Sequence, residues 1–190
     1  IGTMRTIPGM TIINPADAVE ARAAVEAAIN FNGPVYIRFG RLAVPVIYDE
    51  ASYKLEIGRG IKMADGSDVT IIATGVTVAM ALEARATLAA EGIDAAVVNI
   101  HTIKPLDREL VIAEARKTGA IVTAEEHNII GGLGEAVCAA TAEAYPVPVL
   151  RVGVEDRFGR SGKVPPLLEM YGITPANIAA KAREAVKLKK

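Results

Sequence analysis

Apolar residues in this chain fall into short β-rich runs separated by longer stretches of helical spacing, and the pattern changes character near residue 55. Met10 to Asn14 (MTIIN) is the first β-rich run. Pro15-Ala16-Asp17 opens an Ala- and Glu-rich stretch to Asn30, where a proline in the first turn and an acidic residue soon after suit a helix start. Ala18, Val19, Ala23, Val25 and Ile29 give that helix an apolar side. Asn32-Gly33-Pro34 breaks it, and Val35 to Phe39 reads as a strand by its β-branched and aromatic content.

A strand–helix–strand unit cannot bury both faces of its sheet alone. Its sheet is therefore expected to continue in strands that precede residue 1. The opening residues, Ile1-Gly2-Thr3-Met4-Arg5, carry neither an initiator Met at position 1 nor a signal-peptide pattern, which points the same way. Residues 1–40 read as the C-terminal remnant of an α/β unit. Residues 41–54 have no strong period, contain Pro45 and the polar run Tyr48 to Tyr53, and read as an interdomain linker.

From Leu55 the pattern is regular. Leu55 to Met63 alternates weakly, as an edge strand would, and Asp65-Gly66-Ser67 turns the chain. Buried strands are expected at 69–74, 95–100, 120–124 and 147–152, and helices at 76–90, 107–117, 134–145 and from Thr174-Pro175 onward. Strands alternating with helices of this length predict a three-layer α/β/α domain over 55–190, its sheet mostly parallel with about five strands. Sites in such folds gather at the carboxyl ends of the strands. Here those ends are Gly75 to Thr77, His101 to Asp107 and Glu125 to Gly134.

Composition narrows the function. The 190 residues are 51% hydrophobic and 23% charged with a net charge of −1, so no basic excess points to nucleic acid or a membrane surface. No apolar run is long enough to span a bilayer. A single cysteine excludes an intrachain disulfide framework and suits a cytoplasmic location.

Candidate chemistry lies at the predicted strand ends. Gly131-Gly132-Leu133-Gly134 could cradle a phosphate at a helix N-terminus, but Val137 stands where the dinucleotide fingerprint needs Gly or Ala. A tight turn that brings helix and strand close is the competing reading. Glu125-Glu126-His127 could do acid–base work or pin a loop. His101 precedes a Pro-Leu-Asp run in which Asp107 reads as an N-cap. The chain's two histidines have no partners at metal-ligand spacing, so no metal site is expected. Cys138 reads as packed rather than reactive. Arg38 and Arg41 flank Phe39-Gly40 at a strand end, where an arginine fork suits phosphate and a surface ion pair is the default.

The segments MRTIPGMTIINPADAVE, GPVYIRFGR, TIKPLD and VTAEEHNIIGGLGEAV, in this order and spacing, together resemble the C-terminal part of transketolases. The likeness is strongest to bacterial and archaeal enzymes split into two subunits. The resemblance implies an enzyme that moves a two-carbon ketol unit between sugar phosphates with thiamine diphosphate and Mg²⁺. It places the cofactor-contacting glutamate and the metal site outside this chain, so that no catalytic, cofactor-binding or metal residue is expected here. It matches Arg41 to the arginine that binds substrate phosphate, with Arg38 a second candidate, and sets His101 and His127 at the active-site periphery. It also implies an N-terminal thiamine-diphosphate-binding half or subunit as partner, in a homodimer or a heterotetramer of split subunits. Deoxyxylulose-5-phosphate synthase and the β-subunits of 2-oxoacid dehydrogenases share the architecture but usually carry arginine at the position of His101. A non-catalytic assembly module is the alternative of another class.

Overall fold

The computed structural model describes residues 1–41 and 43–189; Leu42 and Lys190, which fall in the expected linker and C-terminal tail, lie outside the described residues. In chain order the elements are α1 (Gly2–Arg5), β1 (Thr11–Ile13), α2 (Ala18–Ile29), β2 (Val35–Ile37), β3 (Ile61–Ala64), β4 (Val69–Ala73), α3 (Thr77–Ala90) and β5 (Ala95–Asn99). They continue with β6 (Thr102–Lys104), α4 (Arg108–Thr118), β7 (Ile121–Asn128), α5 (Leu133–Ala144), β8 (Val149–Val154), α6 (Val164–Met170) and α7 (Pro175–Lys187).

The larger sheet runs β3-β5-β4-β7-β8. Its last four strands are parallel, and β3 joins antiparallel at the edge. Both faces are covered, as a parallel sheet requires. On one face Ile71, Ala73 and Val97 pack with Val78, Ala81 and Leu88 of α3 and Ile178 and Ala182 of α7. On the other, Ile72, Val98 and Ile121 pack with Val111 and Ala115 of α4 and Leu133, Val137 and Ala140 of α5. The alternation of Ile71 and Ile72 to opposite layers is the period of two expected of a strand. Each fully buried Ile or Leu here contributes about 1.5–3 kcal/mol. Asp107 and Thr174 cap α4 and α7 through side-chain oxygens, and Gly119 closes α4 in the left-handed region. The three-layer α/β/α architecture is the one the sequence predicts.

Several local expectations change. The stretch from Leu55 to Gly60 is loop, and the edge strand begins at Ile61. The strand at 120–124 runs on to Asn128 because β8 pairs with it as far as Val154. Strand β6 and helices α1 and α6 carry no period long enough to be read from sequence.

The front unit differs more. β1 and β2 pair in parallel around α2, but the third strand of their sheet is β6, from downstream, paired antiparallel to β1. One neighbour of this sheet therefore does not lie before residue 1. Pro15 precedes α2 rather than entering its first turn; Asp17 is the N-cap and accepts the Glu20 N–H. The predicted apolar side of α2 is also not the buried one. Glu20 and Ala24 are buried, while Val25 is 41% and Ile29 77% exposed. The helix turns inward the face that meets Tyr53 and Asn99, and no layer of the described residues covers Ile29.

Candidate functional site

The carboxyl ends of β4, β5 and β7 are not open to solvent. The front unit is seated on them. The Asn14 N–H donates to the His101 carbonyl at 2.8 Å, and the Gly75 N–H donates to the Asn14 carbonyl at 3.2 Å. The Thr77 hydroxyl donates to the Thr74 or Ala124 carbonyl, at 2.8 and 2.7 Å. Gly75 sits at φ +59°, and a Cβ there would press on the Asn14 amide, so glycine is required for this approach. The Arg5 guanidinium donates to the carbonyls of Gly131 and Gly132 at 2.7 and 2.9 Å.

The glycine-rich turn before α5 already holds an acidic side chain. Glu125 is fully buried, and its carboxylate accepts the N–H groups of Leu133 and Gly134, each at 2.8 Å. A side chain at Gly132 would overlap that carboxylate. These N–H groups are the orphan donors of a helix N-terminus, and an internal glutamate satisfies them in place of a phosphate. Burial pushes the Glu125 carboxyl above the usual carboxylate range, against the pull of the two N–H groups.

The histidines are held rather than free. His101 is completely buried, Nδ1 lies 2.9 Å from the Thr102 hydroxyl, and Nε2 has no hydrogen-bond partner among the described residues. Desolvation holds it neutral, its pKa pushed down to about 4 despite nearby Asp107. His127 lies at the end of β7. Its Nδ1 donates to the Asn128 carbonyl at 2.7 Å and its Nε2 accepts the Gly2 N–H at 3.3 Å, an arrangement that needs the neutral ring. Burial lowers its pKa as well. Cys138 is half-buried, with its thiol pushed up by burial.

The two arginines part company. Arg38 N–H closes the strand ladder on the Ile13 carbonyl at 2.9 Å, and its guanidinium pairs with Glu126 at 3.3 Å. Arg41 lies just past Gly40 and is exposed. Phe39 and Gly40 line a cleft of about 270 Å³ with Pro15, Asp17, Val44 and Val76. Arg41 lies in the chain between Gly40 and Ala43, which line this cleft, and an exposed arginine there can take an anionic group.

A second cluster escaped sequence reading. Glu20, buried in α2, accepts the Ala16 N–H at 2.6 Å, the Asn99 amide at 2.9 and 3.1 Å, and the Tyr53 hydroxyl. Asp17 accepts the N–H groups of Ile47 and Tyr48 at 2.8 and 3.0 Å. The segment that reads as a linker is thus fastened onto the start of α2 and the end of β5. The one sequence signal was the spacing Asp17-x-x-Glu20, that of a capping box, in which a glutamate reaches back to an N–H ahead of the helix.

With this geometry in place, comparison with known proteins is direct. The family described as "Transketolase, C-terminal domain" matches residues 58–178, and "Transketolase, pyrimidine binding domain" matches residues 1–46. A 6-deoxy-6-sulfo-D-fructose transketolase subunit of Clostridium sp. (strain MSTE9) is 44% identical over 189 residues, covering 100% of this chain and 58% of the relative. A 1-deoxy-D-xylulose-5-phosphate synthase of Heliobacterium modesticaldum is 43% identical over 186 residues, covering 97% of this chain and 29% of the relative. A solved structure titled as a split-gene transketolase in an inactive β4 tetramer superimposes with a TM-score of 0.95 at 48% identity, over 100% of this chain and 61% of that one. The chain therefore spans 58% or less of the length of these two relatives.

Proposed function

This chain belongs to the transketolase family, and on that premise we propose that it is the C-terminal portion of a thiamine-diphosphate-dependent transketolase, contributing substrate-phosphate binding and subunit assembly. Residues 1–40 would be the end of the pyrimidine-binding domain, 41–54 the connection, and 55–190 the C-terminal domain. The observation that carries the functional reading is the strand-end turn Phe39-Gly40-Arg41. It holds an exposed arginine between Gly40 and Ala43, two residues that line a cleft, at the chain position where the family resemblance puts the phosphate-binding arginine.

Thiamine diphosphate supplies the ylid chemistry of such enzymes when bound. Its metal and diphosphate do not fit the residues present. Among the described residues no cluster of His, Cys, Asp or Glu could hold a metal ion, and the glycine-rich turn is filled by Glu125. We assign both groups to the N-terminal half or subunit. What this chain's residues do is bind and orient: Arg41 would take the sugar phosphate, and the front unit would meet the partner. No helix of the described residues is long and apolar enough to cross a membrane. A cytoplasmic location suits the sugar-phosphate substrates proposed here.

The synthase reading has a specific observation in its favour, the 43% identity to the Heliobacterium enzyme. His101 argues against it on the family pattern, and against a 2-oxoacid dehydrogenase β-subunit in the same way. Reconstitution with the N-terminal half decides. Product from xylulose 5-phosphate and ribose 5-phosphate supports transketolase. Product only from pyruvate and glyceraldehyde 3-phosphate overturns it. The relative described as an inactive β4 tetramer supports the view that this portion assembles without turning over alone. Micromolar binding of thiamine diphosphate by the chain alone, measured by calorimetry, would refute that part.

A further inference from the structure

The turn proposed to read phosphate is poorly supported by its own strand. The last ladder hydrogen bond among the described residues is that of the Arg38 N–H to Ile13, and Phe39-Gly40-Arg41 shows no further backbone pairing among them. What lies beneath it belongs to the five-stranded unit, at the start of α3 and the end of β7. A Cβ placed on Gly40 would stand 3.6 Å from Val76 and 4.0 Å from a Glu126 carboxylate oxygen. The same oxygen, Oε2, holds the Arg38 guanidinium at 3.3 Å. Adjacent Glu125 is engaged at the α5 N-terminus, and the Glu126 side chain makes no other hydrogen bond among the described residues. Two neighbouring carboxylates thus serve two different ends, one inward and one toward the turn.

We propose that Glu126 is a positioning residue for substrate phosphate. By clamping Arg38 it fixes the turn that presents Arg41, so the five-stranded unit takes part in substrate selection through the front unit. The inference rests on the reading of Arg41 given above. Two effects compete in its test. Removing a carboxylate near an anion site favours the anion, but the Arg38 and Glu126 side chains are 26% and 31% exposed, and solvent and salt screen that term. Misplacing a ligand-binding group by about 1 Å can cost up to about 100-fold, so the positional effect dominates.

The experiment uses the complete reconstituted enzyme with Glu126→Ala, Glu126→Gln and Arg41→Ala. Glu126→Ala is expected to raise KM for phosphorylated sugars about tenfold, with kcat and the KM for unphosphorylated sugars changed less than about twofold. Glu126→Gln keeps an acceptor for Arg38 and should recover most of the loss. Glu126→Leu fills the volume without an acceptor, and carries the test if the alanine variant misassembles. The proposal is overturned if Arg41→Ala raises KM for phosphorylated sugars while loss of the Glu126 acceptor leaves it unchanged or lowers it. It is equally overturned if kcat falls alike for both substrate classes. If Arg41→Ala itself shows no preference for phosphorylated sugars, the failure lies in the Arg41 reading.

Discussion

Glu125 accepts the backbone N–H of Gly134 at 2.8 Å, from inside the turn that a motif search would offer to a phosphate. The carboxylate is fully buried and has no water to fall back on. Glu125→Ala strips the acceptor from two buried donors and should cost about 2–4 kcal/mol of stability, read as a lower midpoint in urea unfolding. Gly132→Ala should be at least as damaging, because its Cβ overlaps the same carboxylate. A near-neutral Gly132→Ala would show that the turn has room for an outside ligand.

Burial holds the Glu20 carboxyl above the usual carboxylate range, despite the opposing pull of Tyr53, the Ala16 N–H and Asn99. The folded state then keeps its proton more tightly than the unfolded chain does. Its contribution to stability is full below the ordinary value of 4.5 and declines as pH rises through the folded value. Glu20→Gln removes that slope. The unfolding free energy of the wild type minus that of the variant should fall from about pH 4 to about pH 7, and a difference that rises instead would reverse the assignment.

The chain has two histidines, so proton NMR can follow each without ambiguity. His101 should titrate about 4 and His127 below 6.5, burial being the main cause in both. The neutral rings stabilise the fold fully above the unfolded value of 6.5, and that support is lost as pH falls through each folded value. A midpoint above 6.5 for His127 would mean that the ring is charged and that Gly2 is not its donor.

Arg41→Ala in the complete enzyme should raise KM for phosphorylated sugars by about tenfold or more, as loss of a charge-assisted contact does, and leave unphosphorylated sugars nearly unchanged. Equal effects on both classes would return Arg41 to the role of a surface cation.

Sequence and structure agree where a pattern is long and is completed within its own stretch. The strand at 69–73 and helix α4, with Asp107 before it and Gly119 after it, are legible because period, cap and stop coincide. They part where distant segments decide. The buried side of α2 is not its apolar one because burial there follows Tyr53 and Asn99, which are far away in sequence. Three-residue β6 has no pattern of its own and becomes a strand only because β1 offers an edge. At the candidate site, Arg38 and Arg41 are equivalent as letters, and Glu126, 88 residues away, separates them.

The loan of β6 to the front sheet has a consequence for how such a gene can be divided. Thr102 to Lys104 pairs with Ile12 and Ile13 across the stretch between β2 and β3, which forms no strand among the described residues. A break in the coding sequence within that stretch would leave β1 with a bare edge on one product and β6 unpaired on the other, each an invitation to aggregate. A division between the two sheets would part strands that pair with each other, so the two sheets are expected to stay on one chain.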